Sequence, residues 1–252
     1  MTLRWTGGGR GTAVLLHGMM SLAGTWWRIG PALAERGWDV TAVDLAAHGG
    51  NRLDGPLTVD TLVDSVTGQV TGPVDLLVGH SMGAATAISA VVRHPELTRA
   101  VVLEDPPGGR DDAAHVRELA TGVELDADIV RLDRDRLVRR SRADHPDWLD
   151  EDVEQDVAGV EQADAAAVAA GLRAGLRGWD IPRLVAAARI PVLVLAAAAD
   201  SRLGGVARSG TRDALPAGRF VELPGGHCLH RDVPERWLAE VDAFTAAVLP
   251  DR

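Results

Sequence analysis

The chain has 252 residues, 46% of them hydrophobic, and a formal net charge of −10. That length can bury one sizeable core with a small accessory piece, and the acidic balance makes nucleic acid and anionic membrane surfaces poor partners. All 26 basic residues are arginine, which excludes a Schiff-base or phosphate-loop lysine, and the single cysteine, Cys228, excludes an internal disulfide.

In chain order, short apolar runs alternate with helical patterns. Thr12 to Leu16, Asp39 to Val43, Val74 to Val78, Ala100 to Leu103, Pro191 to Ala196 and Arg219 to Leu223 read as strands buried on both faces. Thr25 to Arg36, Thr58 to Val70 and Pro234 to Val248 read as helices. The alternation predicts an α/β protein with a mostly parallel sheet covered by helices. Residues 109–189 break the rhythm with a dense mixture of Asp, Glu and Arg. Asp126 to Arg142 and Asp150 to Ala170 read as helices within a helical insertion, a lid over a pocket. The expected domains are a core of residues 1–108 and 190–252 and a cap of residues 109–189. No basic-then-apolar segment opens the chain and no apolar run approaches about 18 residues. A cytoplasmic protein is expected, and the lysine-free, arginine-rich composition points to a GC-rich bacterial genome.

The run Val74 to Val78 leads directly into Gly79-His80-Ser81-Met82-Gly83 and then an alanine-rich helix. A serine on such a strand–turn–helix is lifted clear of the sheet with its hydroxyl exposed. A hydroxyl needs a base, and His227, in the Gly-rich loop after the last strand, is the candidate. Asp200, past the run Val192 to Ala199, is the candidate acid that orients the imidazole. The order Ser81, Asp200, His227 is that of a nucleophile-elbow hydrolase. An oxyanion hole needs two N–H donors, for which the backbones of Met82 and Met19 are the candidates. Met20, Trp26, Trp27, Trp148 and Trp179 are candidates for an apolar substrate site. No two histidines share a helix face with a carboxylate, so no metal is expected, and no cofactor is called for.

These residues resemble the α/β-hydrolase family: the His17-Gly18 loop, Asp44-Leu45-Ala46-Ala47-His48-Gly49, the elbow, the strand before Asp200, and Gly226-His227. The resemblance implies an α/β-hydrolase fold with an eight-stranded, mostly parallel sheet and an inserted helical cap. It implies two antiparallel N-terminal strands, which would fall within Met1 to Arg10. Some members of the family place the acid after the fourth clear strand, which makes Glu104 the alternative to Asp200, with Asp105 holding the turn. The expected function is a serine hydrolase, of the esterase or lactonase kind, cleaving a small or medium apolar ester, lactone or thioester through an acyl-enzyme on Ser81. C–C bond hydrolysis, a lyase reaction with the same residues and a non-catalytic ligand receptor are the competing readings. The sequence leaves the substrate and the oligomeric state open.

Overall fold

In the computed structural model, residues 2–70, 72–108, 113–176, 178–215 and 219–249 are described. Seven strands form one sheet in the order β1-β3-β2-β4-β5-β6-β7. They are β1 (Thr2–Trp5), β2 (Gly11–Leu16), β3 (Trp38–Val43), β4 (Val74–His80), β5 (Thr98–Glu104), β6 (Val192–Ala197) and β7 (Arg219–Leu223). Only β1, at the edge, is antiparallel to its neighbour. A single strand thus stands where two were expected, because the glycines of the Gly7-Gly8-Gly9 stretch give no side chains to pack on a pleated surface, and the described sheet has seven strands rather than eight.

The largely apolar inner strands split their side chains between two cores. Val14, Leu16, Leu77, Val101, Leu103 and Val194 face one side. There they meet α2 (Val59–Gln69), α3 (Met82–Arg93), α8 (Ile181–Ala187) and α9 (Gly205–Asp213). Ala13, Leu15, Leu76, Val78, Val102 and Leu195 face the other. They meet α1 (Ile29–Glu35), a short 3₁₀ turn (Ala23–Trp26) and α11 (Pro234–Val248). Period-2 alternation produces this division, and each fully buried Leu or Val contributes about 1.5–3 kcal/mol.

Between β5 and β6 the chain makes α4 (Ala113–Leu132), α5 (Arg134–Asp144), α6 (Asp150–Gln162), α7 (Ala165–Arg173) and then α8. The helices differ from those read in the sequence. Asp126 to Arg142 is broken by Asp133, whose carboxylate caps α5 by accepting from the Arg136 N–H. Asp150 to Ala170 is broken by Asp164, which caps α7 in the same way through Ala167. An aspartate at such a position offers the backbone a competing acceptor and starts a new helix. The inserted helices are tied to the sheet domain by the Trp27 indole donating to Asp152 (2.9 Å). Main-chain bonds from Asp164 to Ala47 (2.7 Å) and from Leu57 to Ala167 (2.9 Å) add to this. A short α10 (Leu229–Asp232) leads into α11.

Candidate active site

Ser81 sits between β4 and α3 with φ 52° and ψ −117°, a conformation that costs a residue with a Cβ of order 1–3 kcal/mol. Close packing enforces it. A Cβ at Gly79 would stand 2.3 Å from the Gly83 carbonyl oxygen, and one at Gly83 would stand 2.5 Å from that of His17. Only glycine fits at either place, so the elbow closes tightly against the β2 loop. Met82 is the first residue of α3, where a helix N–H has no acceptor one turn earlier.

His227, in the loop after β7, lies with Nε2 2.9 Å from Ser81 Oγ and Nδ1 2.6 Å from Asp105 Oδ2. A carboxylate can only accept, so Nδ1 carries the proton and Nε2 is free to accept from the hydroxyl. His80 steadies the same loop, its Nε2–H donating to the main-chain carbonyl of His227 at 3.0 Å. Serine, imidazole and carboxylate therefore form one continuous hydrogen-bonded line, an arrangement able to draw the proton from the hydroxyl as it attacks.

The carboxylate in that line is Asp105, not Asp200. Asp200 is exposed, in the turn after β6. That turn serves Asp105 through its neighbours. Asp105 Oδ1 accepts from the Ala197 N–H (3.1 Å) and the Ser201 hydroxyl (2.5 Å), and Oδ2 accepts from the Arg202 N–H (2.8 Å). Burial pushes the Asp105 carboxyl up, but these donors and His227 outweigh it and hold the acid below its ordinary range. Glu104, the alternative acid, faces the opposite side of the sheet. It takes hydrogen bonds from the His230 N–H (3.1 Å), His230 Nδ1 (2.8 Å) and the Trp237 indole (2.9 Å). The strand's own parity shows why. Val102 faces the Trp237 side and Glu104, two residues on, follows it, while Asp105 turns out of the strand with φ 39°.

Burial holds His17, His48, His80 and His230 neutral. His17 is lowered to about 4 and His48 to about 3. Each accepts a main-chain N–H, from Leu45 and from Met20 respectively, so both brace the loop that carries Met19. Burial pushes the Cys228 thiol up, away from a reactive thiolate. His80, Glu104 and His230 bring ligand atoms within 4.8 Å of one another. There His80 Nε2 donates to the His227 carbonyl, Glu104 takes three donors, and His230 Nε2 is engaged by the Thr25 hydroxyl at 2.9 Å, so each of the three side chains already has a hydrogen-bond partner within the protein.

Beside Ser81 and His227 opens a cavity of about 220 Å³ lined by Met19, Met82, Leu119, Leu172 and Trp179, with His115 and Arg202 among its polar residues. Of the five residues expected to bind substrate, only Trp179 lines it. Trp26 is fully buried in the sheet's second core, its ring against His230 and Trp237. Trp27 and Trp148 spend their indole N–H groups on Asp152 and Asp232, and Met20 packs under the inserted helices beside Ile129 and Val157. Trp27 and Trp148 are structural ties because each donor meets a carboxylate far along the chain, which the sequence alone does not reveal. The residues missed were Leu119, Leu172 and Leu176; the apolar spacing of Leu172 and Leu176 was the available signal.

Three comparisons bear on this arrangement. The chain is 36% identical over 66 residues to a pimeloyl-[acyl-carrier protein] methyl ester esterase of Neisseria meningitidis, 26% of this chain and 25% of that protein. It is 29% identical over 153 residues to lipase LipV of Mycobacterium tuberculosis, 59% of this chain and 56% of the relative. The chain thus spans between a quarter and somewhat over half of the length of these curated relatives. A hydrolase from Pseudomonas aeruginosa PA01 superposes with a TM-score of 0.79 at 20% identity, covering 96% of this chain and 92% of that one, a likeness of fold. The model of the alpha/beta hydrolase family matches residues 13–241, and with the elbow and sheet described above the chain belongs to that family.

Proposed function

We propose that the protein is a serine hydrolase that cleaves a small or medium apolar ester, lactone or thioester. The observation that carries this reading is His227 bridging Ser81 at 2.9 Å and Asp105 at 2.6 Å. Ser81 Oγ attacks the carbonyl carbon while its proton passes to His227 Nε2, and Asp105 stabilises the imidazolium. The negative oxygen is held by the backbone N–H groups of Met82 and Met19, each donor contributing about 3–4 kcal/mol. The bond to the leaving group breaks, and the leaving group takes the proton from Nε2. Water then attacks the acyl-enzyme and gives its proton to His227. Release of the acid returns that proton to Ser81.

The apolar lining of the cavity supports an apolar acyl or alkyl group. The esterase and lipase names of the two curated relatives support ester substrates. Helices α4 to α7 act as the cap over this cavity.

Turnover of p-nitrophenyl acetate and butyrate tests the reading. Ser81→Ala lowers kcat by about 10⁶-fold, and a fluorophosphonate adds once, at Ser81. Equal rates in wild type and variant, or labelling elsewhere, overturn it.

A further inference from the structure

We propose that Trp179 is the end wall of the acyl site and fixes the chain length that the enzyme accepts; this rests on the serine-hydrolase reading. Trp179 lines the cavity that holds Ser81 and His227. It also lines a second cavity of about 480 Å³ between α3 and α8, bounded by Ser89, Val92 and Leu184. Among the described residues it is the only one common to both linings. Trp179 is thus the side chain that the reacting cavity shares with a larger, more open groove beside it, which Arg93, Asp180 and Arg183 also line.

One further feature suits a wall rather than a strut. Trp179 belongs to neither helix; it lies between α7 and α8, just before Asp180, the residue that caps α8. Its indole Nε1 is buried and has no hydrogen-bond partner among the described residues. Trp26 and Trp38, buried in the sheet's second core, share such an unpartnered donor; what sets Trp179 apart is its place in the lining of both cavities.

An acyl chain bound at Ser81 thus runs from the serine past Met82 and Leu172 and ends against the indole. Short straight-chain acyl esters fit. Longer ones meet the ring, and each methylene that does not fit lowers kcat/KM about 10–200-fold. Removing the indole joins the two spaces and admits a medium-length chain.

The test is kcat/KM for p-nitrophenyl acetate, butyrate, octanoate and decanoate with the full chain. Fluorophosphonate labelling of Ser81 counts active sites in every variant. Wild type falls steeply beyond butyrate. Trp179→Ala raises the decanoate-to-butyrate ratio at least tenfold, and Trp179→Phe, which keeps an aromatic wall, stays close to wild type. Adding Val92→Phe to Trp179→Ala refills the second space and returns the ratio toward wild type, which general loosening of the site does not do. Should the alanine variant fail to fold, Trp179→Leu decides by the same ratio. An unchanged ratio in a fully labelled variant overturns the wall; a wild type that does not label at Ser81 overturns the serine-hydrolase reading itself.

Discussion

The Trp148 indole donates to Asp232 Oδ1 at 2.7 Å, and the other oxygen of that carboxylate accepts from the Gly226 N–H at 2.7 Å. Gly226 immediately precedes His227. One carboxylate therefore fastens the inserted helices with one atom and the histidine loop with the other. The Arg231 guanidinium lies over the Trp148 ring, 4.4 Å from its centroid, and His145 stacks on the ring at 3.7 Å. The junction is thus packed as well as hydrogen-bonded.

Asp232→Ala releases the histidine loop and lowers kcat up to about 10²-fold, the effect of a misplacement of about 1 Å. Trp148→Phe removes only the bond to the inserted helices, so it raises KM more than it lowers kcat. Steady-state kinetics on p-nitrophenyl butyrate separate the two. An Asp232→Ala enzyme with wild-type kcat contradicts the positioning role.

Asp105 and Asp200 make opposite predictions. Asp105→Asn leaves the imidazole in the wrong tautomer and lowers kcat by about 10⁴-fold. Asp200→Asn, at an exposed position, keeps kcat within about threefold, and its unfolding free energy stays within about 0.5 kcal/mol. Rates and urea midpoints of the two variants measured side by side give the answer. A larger loss at Asp200 reverses the assignment.

Acidification reads the same carboxylate through stability. The folded-state pKa of Asp105 lies below the unfolded value of 3.8. The folded protein therefore holds this proton less readily than the unfolded chain does. The contribution is complete above the unfolded pKa and is lost as pH falls through the depressed folded pKa. The stability gap between wild type and Asp105→Asn is accordingly steady from pH 7 to about pH 5 and narrows below about pH 4. Urea titrations across that range measure it, and a gap that widens on acidification contradicts the sign.

The elbow tolerates no added carbon. A Cβ at position 79 or 83 meets main-chain oxygens at 2.3 or 2.5 Å, which the backbone must move to relieve. Gly79→Ala and Gly83→Ala each destabilise the protein by about 1–3 kcal/mol and slow Ser81 labelling by fluorophosphonate. Gly122→Ala, with open space around the new carbon, serves as the matched control and leaves labelling at the wild-type rate.

Much of this was legible because its physics is local. The strand run Val74 to Val78 before Ser81 is apolar but for Asp75, and the glycines flanking Ser81 stand where a Cβ would meet main-chain oxygens. Asp105 was harder to see. Glu104 and Asp105 are adjacent carboxylates, and choosing between them requires the parity of β5, which sends Glu104 to the Trp237 side. Asp200 was attractive because it follows a strand; its turn instead offers the Ser201 hydroxyl and the Arg202 N–H to Asp105. The tryptophans were opaque for a different reason. Trp27 finds Asp152 across 125 positions, and no local pattern records such a meeting.

The site's three groups do not share one mechanical footing. Ser81 and Asp105 follow β4 and β5, which are hydrogen-bonded neighbours inside the sheet, whereas His227 follows β7, the outermost strand, paired on one side only. Outer strands fray at lower free energy than inner ones. On warming, amide exchange accelerates in residues 219–223 before it does in 74–80 or 98–104, and the enzyme loses its base, reversibly, while most of the sheet is still intact. Activity is thus expected to fall on heating before the sheet melts, and a substitution that pins the β6–β7 edge is expected to delay that loss.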